Sequence, residues 1–400
     1  WPVFVRLTPV RNRTRRPMRH AEVPLALQTG RVVSVDALRG FTIFWILGAD
    51  GAIWALDRVL RDKGPALSAA GSFLGTQMSH VAWEGFRFYD FIFPLLIFVT
   101  GVSIVLALPR LVAREGKALA HLHVLRRALF LYILGLIFYG GVGQHWSDMR
   151  FVGVLQRIAI CYLFASLLFL NLNRRGLVAA LAALLGGYWA LMTFVPLPGI
   201  GVGSFGPDAN LANWIDAHYL PGRLWDKSRD PEGLLSTLPA IATCLLGVLA
   251  GLLLKDERLT STQKSLWLIG AGTVMVLAGY LWGLQFPVIK AIWTSSFVLV
   301  AGGYSAILLG VMHQIIDVWG WRAWATIFVW IGANAITLYF INGVAGFEPF
   351  ALRFVGGDVS AWLDRMITPG TGLFVAHILG LVLAITLAGF LYRRRIFLRV

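Results

Sequence analysis

Long apolar blocks, separated by short polar segments, run through almost the whole chain. About ten such blocks can be distinguished, at roughly 39–54, 88–108, 124–142, 151–170, 177–195, 234–254, 265–284, 291–316, 325–344 and 372–392. A helix needs about 20 predominantly apolar residues to cross the hydrocarbon core of a bilayer. The pattern therefore predicts an all-α, polytopic membrane protein with about ten transmembrane helices.

The composition argues against a soluble globular protein. Of the 400 residues, 58% are hydrophobic and only 14% are charged, and the mean hydropathy is +0.72. Soluble domains contain about 45–50% apolar and about 25% charged residues. The chain therefore has too little polar surface to cover a soluble core.

Basic residues collect in every second connecting segment. They are dense in the N-terminal arm, between the second and third blocks, and in the tail, and about two thirds of the 35 lysines and arginines lie on this side. Cytoplasmic loops carry such an excess. We therefore predict that both termini are cytoplasmic, which requires an even number of crossings. The net charge of +15 then reflects topology and contact with anionic lipids, and we expect no nucleic-acid partner.

The predicted organisation is a basic cytoplasmic arm, residues 1–30, followed by a single membrane domain, residues 31–400. The first methionine is Met18, and we hypothesise that translation starts there. Two long external loops are predicted at about 55–87 and 196–233. The second is rich in Gly, Pro, Asp and Asn and carries Trp214 and Trp225. Indole rings there suit the stacking of a sugar and suit anchoring at the membrane interface equally well.

Polar side chains inside apolar spans cost free energy and usually mark function or internal pairing. Asp50 lies near the outer end of the first block and Asp90 near the start of the second. Gln156 and Arg157 lie in the fourth block and Asn334 in the ninth. A buried arginine needs a partner, and Asp50 or Asp90 could supply it. Each residue also has a structural interpretation: a boundary or helix-terminal carboxylate, an ion pair, or a contact between helices.

His80 is the strongest single candidate for a catalytic residue. It lies in the first external loop, just before the second block, and histidine is the natural proton carrier near neutral pH. A lone loop histidine is nevertheless ordinary. The other histidines show no metal-ligand spacing with a cysteine or carboxylate, so we predict no metal site. Cys161 and Cys244 both fall within predicted spans and indicate neither a disulfide framework nor a metal site.

Several short motifs follow one another along the chain. They are SVDALRG at 34–40, HVAWEG at 80–85, DFIFP at 90–94, GVS at 101–103, GVLQRI at 153–158, VPLPG at 195–199, DPEG at 230–233 and GANAI at 332–336. The first resembles the opening motif of transmembrane acyltransferases. The ordered set, which covers roughly 34–344, resembles the heparan-α-glucosaminide N-acetyltransferase family. Bacterial members occur in N-acetylglucosamine utilisation, and the chain looks like one of those.

The resemblance implies a reaction across a membrane, here expected to be the bacterial inner membrane. Cytoplasmic acetyl-CoA would donate an acetyl group to the amino group of glucosamine, or of a glucosamine-containing sugar, on the far side. The family's essential histidine maps onto His80, and a family asparagine maps onto Asp50. This departure matters because a carboxylate cannot donate a hydrogen bond as an amide can. The resemblance leaves open whether the protein is a homodimer.

Residue roles follow from this resemblance and from the polar pattern. The predicted catalytic residues are His80 and Asp50, with Asp50 expected to orient the imidazole. The residues expected to bind acetyl-CoA are Arg39, Arg126, Arg127, Gln156, Arg157 and Asn334. The residues expected to contact the acceptor are Trp83, Asp90, Asp230 and Glu232.

Two mechanisms and two other functions stay open at this point. His80 could deprotonate the acceptor ammonium, or it could take the acetyl group itself in a two-step route. The intramembrane charges Asp50, Asp90 and Arg157 would equally suit a proton-coupled sugar transporter. An O-acyltransferase acting on a cell-surface glycan is the third possibility.

Overall fold

The protein is a bundle of α-helices. A computed structural model describes residues 32–226 and 228–398, so the predicted arm 1–30, with Met18, lies outside the described residues. The described residues contain no β-strand, and the all-α prediction is confirmed. The α-helices are α1 (Val33–Phe44), α2 (Asp50–Leu60), α3 (Pro65–Gln77), α4 (Phe88–Glu115), α5 (Lys117–Phe138), α6 (Val154–Asn171), α7 (Arg174–Phe194), α8 (Leu211–Tyr219), α9 (Thr237–Leu254), α10 (Ser261–Gly283), α11 (Ser295–Met312), α12 (Thr326–Ala333), α13 (Ala335–Val344), α14 (Phe347–Val355), α15 (Asp358–Met366) and α16 (Thr371–Arg393).

Eight helices of the described chain are long and apolar enough to cross a membrane. They are α4, α5, α6, α7, α9, α10, α11 with its π-helical extension His313–Val318, and α16. A ninth candidate is the pair α12 and α13, which is bent by 75°. The polytopic prediction is therefore confirmed, but the count is eight or nine instead of ten. The remaining predicted block, at 39–54, is interrupted and contains no continuous helix of spanning length.

Helices α4, α9 and α11 form the centre of the bundle. Their apolar stretches are 72–78% buried, whereas those of α5, α7 and α10 are 17–22% buried. Glycines let the central pair approach closely. A Cβ on Gly101 of α4 would lie 2.0 Å from the carbonyl oxygen of Cys244 in α9, and one on Gly247 would lie 1.9 Å from that of Phe98. Small residues thus place the two backbones in direct contact.

We expect Gly101→Val to destabilise the folded protein by about 3 kcal/mol, the upper end of overpacking penalties, because the added carbons meet the α9 backbone and cannot rotate away. The measurement is thermal unfolding of the detergent-solubilised protein. Gly187→Val in α7 is the matched control, since a Cβ there meets nothing within 4 Å. Equal stability of the two variants would contradict the close α4–α9 contact.

The first predicted span is broken beside Asp50. Helix α1 passes into a π-helical segment, Trp45–Ala49, and α2 begins at Asp50. Gly48 has φ 121°, which side chains other than glycine rarely adopt. The break leaves the Ile46 carbonyl to accept a hydrogen bond from Asn342 Nδ2 of α13, at 3.0 Å. Irregular backbone at membrane depth is tolerated only inside the protein or along a cavity, and the space beside Gly48 is open, since a Cβ there would meet nothing within 4 Å.

The two long loops predicted at about 55–87 and 196–233 are folded. The first contains α3 and the second contains α8. The second loop packs on an apolar cluster that joins Tyr188 and Met192 of α7 to Leu211, Phe286 and Ile292. The hydroxyl of Tyr188 also donates to the Ile292 carbonyl at 2.5 Å. These loops therefore hold fixed positions over one end of the bundle.

Candidate functional site

His80 and Asp90 form a pair at the start of α4. His80 Nδ1 lies 2.8 Å from Asp90 Oδ1. The Asp90 side chain is 0% exposed, whereas that of His80 is 52% exposed. A buried carboxylate that accepts a hydrogen bond from Nδ1–H fixes the tautomer with a lone pair on Nε2. The imidazole is thus held at one edge and open to a reactant at the other.

Local sequence explains why Asp90 is fixed. Asp90 is the third residue of α4, and its Oδ2 accepts hydrogen bonds from the backbone N–H groups of Arg87, at 3.1 Å, and Val81, at 3.3 Å. An acidic side chain in the first turn satisfies N–H groups that have no helical partner. The Arg87 guanidinium also donates to the His80 carbonyl at 3.0 Å. Asp90 therefore orients His80, the role that was predicted for Asp50.

Asp50 reaches the pair through a tyrosine. Its carboxylate accepts a hydrogen bond from the Tyr89 hydroxyl, and the Tyr89 ring centroid lies 4.9 Å from that of His80. The break at Gly48 is what places Asp50 at the start of a helix. Asp50 thus lies in the same neighbourhood as His80, but behind Tyr89.

Lys290 is a neighbour of the pair that no pattern in the sequence indicated. Its Nζ lies 2.9 Å from His80 Nδ1, 3.2 Å from His80 Nε2 and 3.5 Å from Asp90 Oδ1. The residue belongs to the connection between α10 and α11. Hydrophobic periodicity gives no information about which loops are in contact. The contact between Lys290 and His80 is therefore visible only in the three-dimensional structure.

The predicted partner of Arg157 is wrong. Arg157 is fully buried in α6, but it donates to the Gly233 carbonyl and the Ser236 hydroxyl and lies over the Trp293 ring. Its Nε and Nη1 have no hydrogen-bond partner among the described residues. The position of α6 in the bundle directs the side chain toward the second long loop, away from Asp50 and Asp90.

Asp230 and Glu232, predicted to contact an acceptor, form a buried cluster with Arg150. The Arg150 guanidinium lies 2.8 Å from Asp230 Oδ1 and 2.7 Å from Glu232 Oε2, and it is stacked between the Tyr139 and Trp225 rings. Burial alone would lower the pKa of Arg150, but the bond to Asp230 and the two negative charges raise it. Both carboxylates are therefore engaged inside the protein. Arg150 itself was missed because an isolated arginine in a loop has no distinctive pattern.

Gly233 completes this cluster. A Cβ on Gly233 would lie 1.7 Å from Asp216 Oδ2, and Asp216 Oδ1 accepts a hydrogen bond from the Leu234 N–H at 2.8 Å. Burial raises the pKa of Asp216 to about 6. The DPEG motif thus ends in glycine because the buried Asp216 carboxylate occupies the place of a side chain.

The remaining predicted residues lie in three parts of the fold: α1, α5 and the segment before α4. Arg39 bonds to Asp36 at 3.1 Å and to the Ser103 hydroxyl at 2.6 Å. Along α5, Arg126 is exposed and Arg127 lies over the Tyr162 ring. Trp83 donates to the Phe205 carbonyl of the second long loop at 2.8 Å.

Asn334 and Gln156 carry unpaired polar atoms. Asn334 is buried at the break between α12 and α13, and neither its Oδ1 nor its Nδ2 has a partner among the described residues. Gln156 Oε1 is likewise unpaired, although its Nε2 faces the Arg150 carbonyl. Buried polar groups are normally hydrogen-bonded, and exceptions need an explanation. A bound molecule with polar groups would provide one.

Comparisons with known proteins support the family resemblance that the motifs indicate. The human heparan-alpha-glucosaminide N-acetyltransferase is 27% identical over 383 aligned residues, covering 80% of this chain and 55% of the human protein. The mouse protein of the same name is 24% identical over 379, covering 80% and 56%. The chain resembles the heparan-α-glucosaminide N-acetyltransferases. It spans about half the length of these relatives, and no family model matches it.

Six of the eight motifs that carry this resemblance meet in pairs in the fold. A Cβ on Gly332 would lie 2.0 Å from the Asp36 carbonyl oxygen, which joins GANAI to SVDALRG. Arg157 of GVLQRI donates to Gly233 of DPEG at 3.1 Å. His80 of HVAWEG bonds to Asp90 of DFIFP. Segments far apart in sequence are therefore parts of one arrangement.

Proposed function

We propose that this chain is a transmembrane N-acetyltransferase of the glucosaminide type. It moves an acetyl group from cytoplasmic acetyl-CoA to the amino group of glucosamine, or of a glucosamine-containing sugar, on the external side. The observation that carries the proposal is the half-exposed His80 imidazole held by the fully buried Asp90. The names of the human and mouse relatives support the reaction class.

The distribution of charge supports the sidedness and the location. Basic residues prevail at the ends of α5, α9 and α16 that we assign to the cytoplasm. His80 precedes α4 and so lies on the other side. We therefore propose that both termini are cytoplasmic, in a bacterial inner membrane, and that His80 faces the periplasm.

The residues between the cytoplasmic face and His80 suit the binding of acetyl-CoA. Arg126 and Arg127 would meet its phosphates near the cytoplasmic face, because guanidinium groups bind phosphate well. The unpaired amide of Asn334 can both donate and accept, which suits the amide groups of a pantetheine chain. Arg39 is already engaged by Asp36 and Ser103, so we assign it to holding α1 against α4.

The chemistry requires a neutral amine and a place for its proton. His80 Nε2 takes a proton from the acceptor ammonium, and the amine nitrogen attacks the thioester carbonyl. The proton taken from the ammonium passes to solvent. The C–N bond forms, the nitrogen gives its second proton to Nε2, the C–S bond breaks, and the leaving thiolate takes this second proton from the imidazolium. In the two-step alternative, Nε2 attacks the thioester first and the amine then attacks acetyl-histidine. Asp90 holds Nδ1 in both routes.

The decisive experiment incubates purified protein with labelled acetyl-CoA and glucosamine, and with hydroxyl-bearing glycans as competing acceptors. We expect N-acetylglucosamine as the labelled product. Broken helices such as the first span and the α12–α13 pair also occur in secondary transporters. A binding measurement distinguishes the two functions. An acyltransferase should gain thermal stability from acetyl-CoA alone. Stabilisation by sugar but not by acetyl-CoA would instead favour a transporter, and label only in ester linkage would favour an O-acyltransferase.

We expect Arg126→Ala plus Arg127→Ala to weaken CoA binding by about 10- to 100-fold, since each lost charge-assisted bond is worth roughly 1.5–3 kcal/mol but is partly screened at a surface. Calorimetric titration with CoA measures this. The control is Arg174→Ala plus Arg175→Ala, an adjacent exposed pair at the start of α7. Similar dissociation constants for both double variants would argue against a donor site at α5.

A further inference from the structure

A groove opens at the corner between α13 and α14. The chain turns tightly there, because the Gly346 N–H donates to the Ile341 carbonyl at 3.2 Å and Gly346 has φ 70°, a conformation that favours glycine. The groove has a volume of about 440 Å³, and small-molecule sites in proteins are clefts of roughly 300–1,000 Å³. Its walls are apolar apart from one arginine, and they include Ile341, Val344, Ala345, Phe347, Phe350 and Arg353. The groove is therefore large enough to hold an apolar chain.

The corner that forms the groove is fixed to the bundle. The side chain of Asn342 joins its two sides to the first span: Oδ1 accepts from the Phe347 N–H at 3.3 Å, and Nδ2 donates to the Ile46 carbonyl at 3.0 Å. Helix α14 also packs closely on α16, since a Cβ on Gly380 would lie 3.1 Å from the Glu348 backbone nitrogen. The groove is therefore a preformed feature of the fold.

Large apolar side chains face outward around the groove. Phe350 and Phe354 of α14 are 47% and 61% exposed, and Trp362 of α15 is 54% exposed. Both helices are short and directly precede α16, which is long and apolar enough to cross a membrane. Short helices with an outward apolar face and a tryptophan are typical of the membrane interface. We therefore place the mouth of the groove at the level of the lipid headgroups.

Arg353 supplies a positive charge to this groove. It is exposed, it lies one turn of α14 after Phe350, and within the described residues it forms neither an ion pair nor a hydrogen bond. The acidic residue of the same helix, Glu348, lies 3.6 Å from His377 of α16 instead. A guanidinium binds phosphate oxygens through two parallel hydrogen bonds. An apolar groove lined by this guanidinium thus matches a molecule with an apolar chain and a phosphate.

We propose that the groove binds one anionic phospholipid, with an acyl chain along the apolar walls and the phosphate on Arg353. None of the described residues that line the groove is acidic, so nothing there would meet the ammonium of a zwitterionic headgroup. Such a lipid contacts the corner that Asn342 joins to Ile46, and so it stabilises the broken first span beside Asp50. This role is independent of acetyl transfer.

The binding test titrates delipidated, detergent-solubilised protein with phosphatidylglycerol and follows the bound lipid by native mass spectrometry. We expect Arg353→Gln to weaken the tightest phosphatidylglycerol site about tenfold, because the charge-assisted bonds to the phosphate are lost. Diacylglycerol, which has the same chains but no phosphate, should bind equally to wild type and to Arg353→Gln. The matched control is Arg365→Gln in α15, where an exposed arginine donates through Nε to the Ala361 carbonyl at 3.2 Å.

A second pair of variants tests the groove itself. Ala345→Trp should fill the groove and abolish the tightest phosphatidylglycerol site while Arg353 stays in place. Ala361→Trp, at an exposed alanine of α15 outside the groove, should keep the site. Phosphatidylglycerol should also raise the melting temperature of wild type and of both controls, but not that of Arg353→Gln or Ala345→Trp at the same lipid concentration.

Three results would overturn the proposal. The first is equal phosphatidylglycerol affinity in wild type, Arg353→Gln and Ala345→Trp. The second is a loss in Ala345→Trp without a loss in Arg353→Gln, because the groove would then take a chain without binding its phosphate. The third is equal stabilisation by inorganic phosphate alone, which would assign Arg353 to a free anion. If Ala345→Trp does not fold, Arg353→Gln decides, since it changes only an exposed side chain.

Discussion

His80→Ala is expected to lower acetyl transfer by about 10³-fold or more. General acid–base catalysis contributes roughly 10²–10⁴-fold, and a nucleophilic role would make the loss larger. The imidazole is half exposed, so its removal leaves no buried cavity, although Asp90 loses one hydrogen-bond partner. The protein should therefore remain folded and should still gain thermal stability from acetyl-CoA. Initial rates with labelled acetyl-CoA, together with melting curves, measure both effects.

His145→Ala is the matched control for this variant. His145 is an exposed histidine in the loop between α5 and α6, so its removal should leave the rate within about twofold of wild type. Near-normal turnover in His80→Ala would reject the assignment of His80. Loss of thermal stabilisation by acetyl-CoA in the same variant would indicate that His80 supports the fold or donor binding rather than the chemistry.

Arg150→Met should destabilise the protein by about 3–5 kcal/mol. Breaking a buried ion pair by removing one partner costs this much because the other charge is left uncompensated, and here Arg150 serves both Asp230 and Glu232. Burial already raises the pKa of Glu232, and removal of the guanidinium charge would raise it further. The Glu232 carboxylate should therefore be protonated more readily in the variant, so its instability should be greatest at high pH and smaller in acid.

Thermal unfolding of detergent-solubilised protein between pH 5 and 8 tests this expectation. Arg223→Met is the control, because Arg223 is an exposed arginine in the loop that carries Asp230 and Glu232. A double variant, Arg150→Met with Glu232→Gln, should recover part of the stability by removing one unpaired charge. An Arg150→Met protein as stable as the Arg223 control would show that the cluster is dispensable for folding.

Hydropathy predicted most spans well because each apolar block must be buried in lipid or protein. It missed the breaks at Gly48 and Asn334, since the residues around both are apolar and continue the pattern without interruption. It also placed α3 and α8 within loops, because short helices that pack on an existing core do not need a long apolar run.

The site was predicted in part. His80 and Asp90 stood out because ionisable groups are rare beside such blocks, but their pairing could not be read from the sequence, and Asp50 was given the role of orienting the imidazole. Arg157 was paired with the wrong carboxylates because the sequence does not say how α6 is rotated. Lys290 was overlooked because its contact depends on a bridge between residues about 200 positions apart.

The π-helical segment before Asp50 also controls direction. Successive residues of an α-helix are separated by about 100° around the axis, and a π-helical turn holds one residue more than an α-helical one. Deleting a single residue from Trp45–Ala49 would therefore change the direction of the Asp50 side chain where α2 leaves the break at Gly48. A change in the length of this segment would change the direction of the Asp50 carboxylate without substituting any residue of the site. Insertions and deletions at 45–49 are thus a route by which related proteins could change the surroundings of the histidine without substituting a residue of the site.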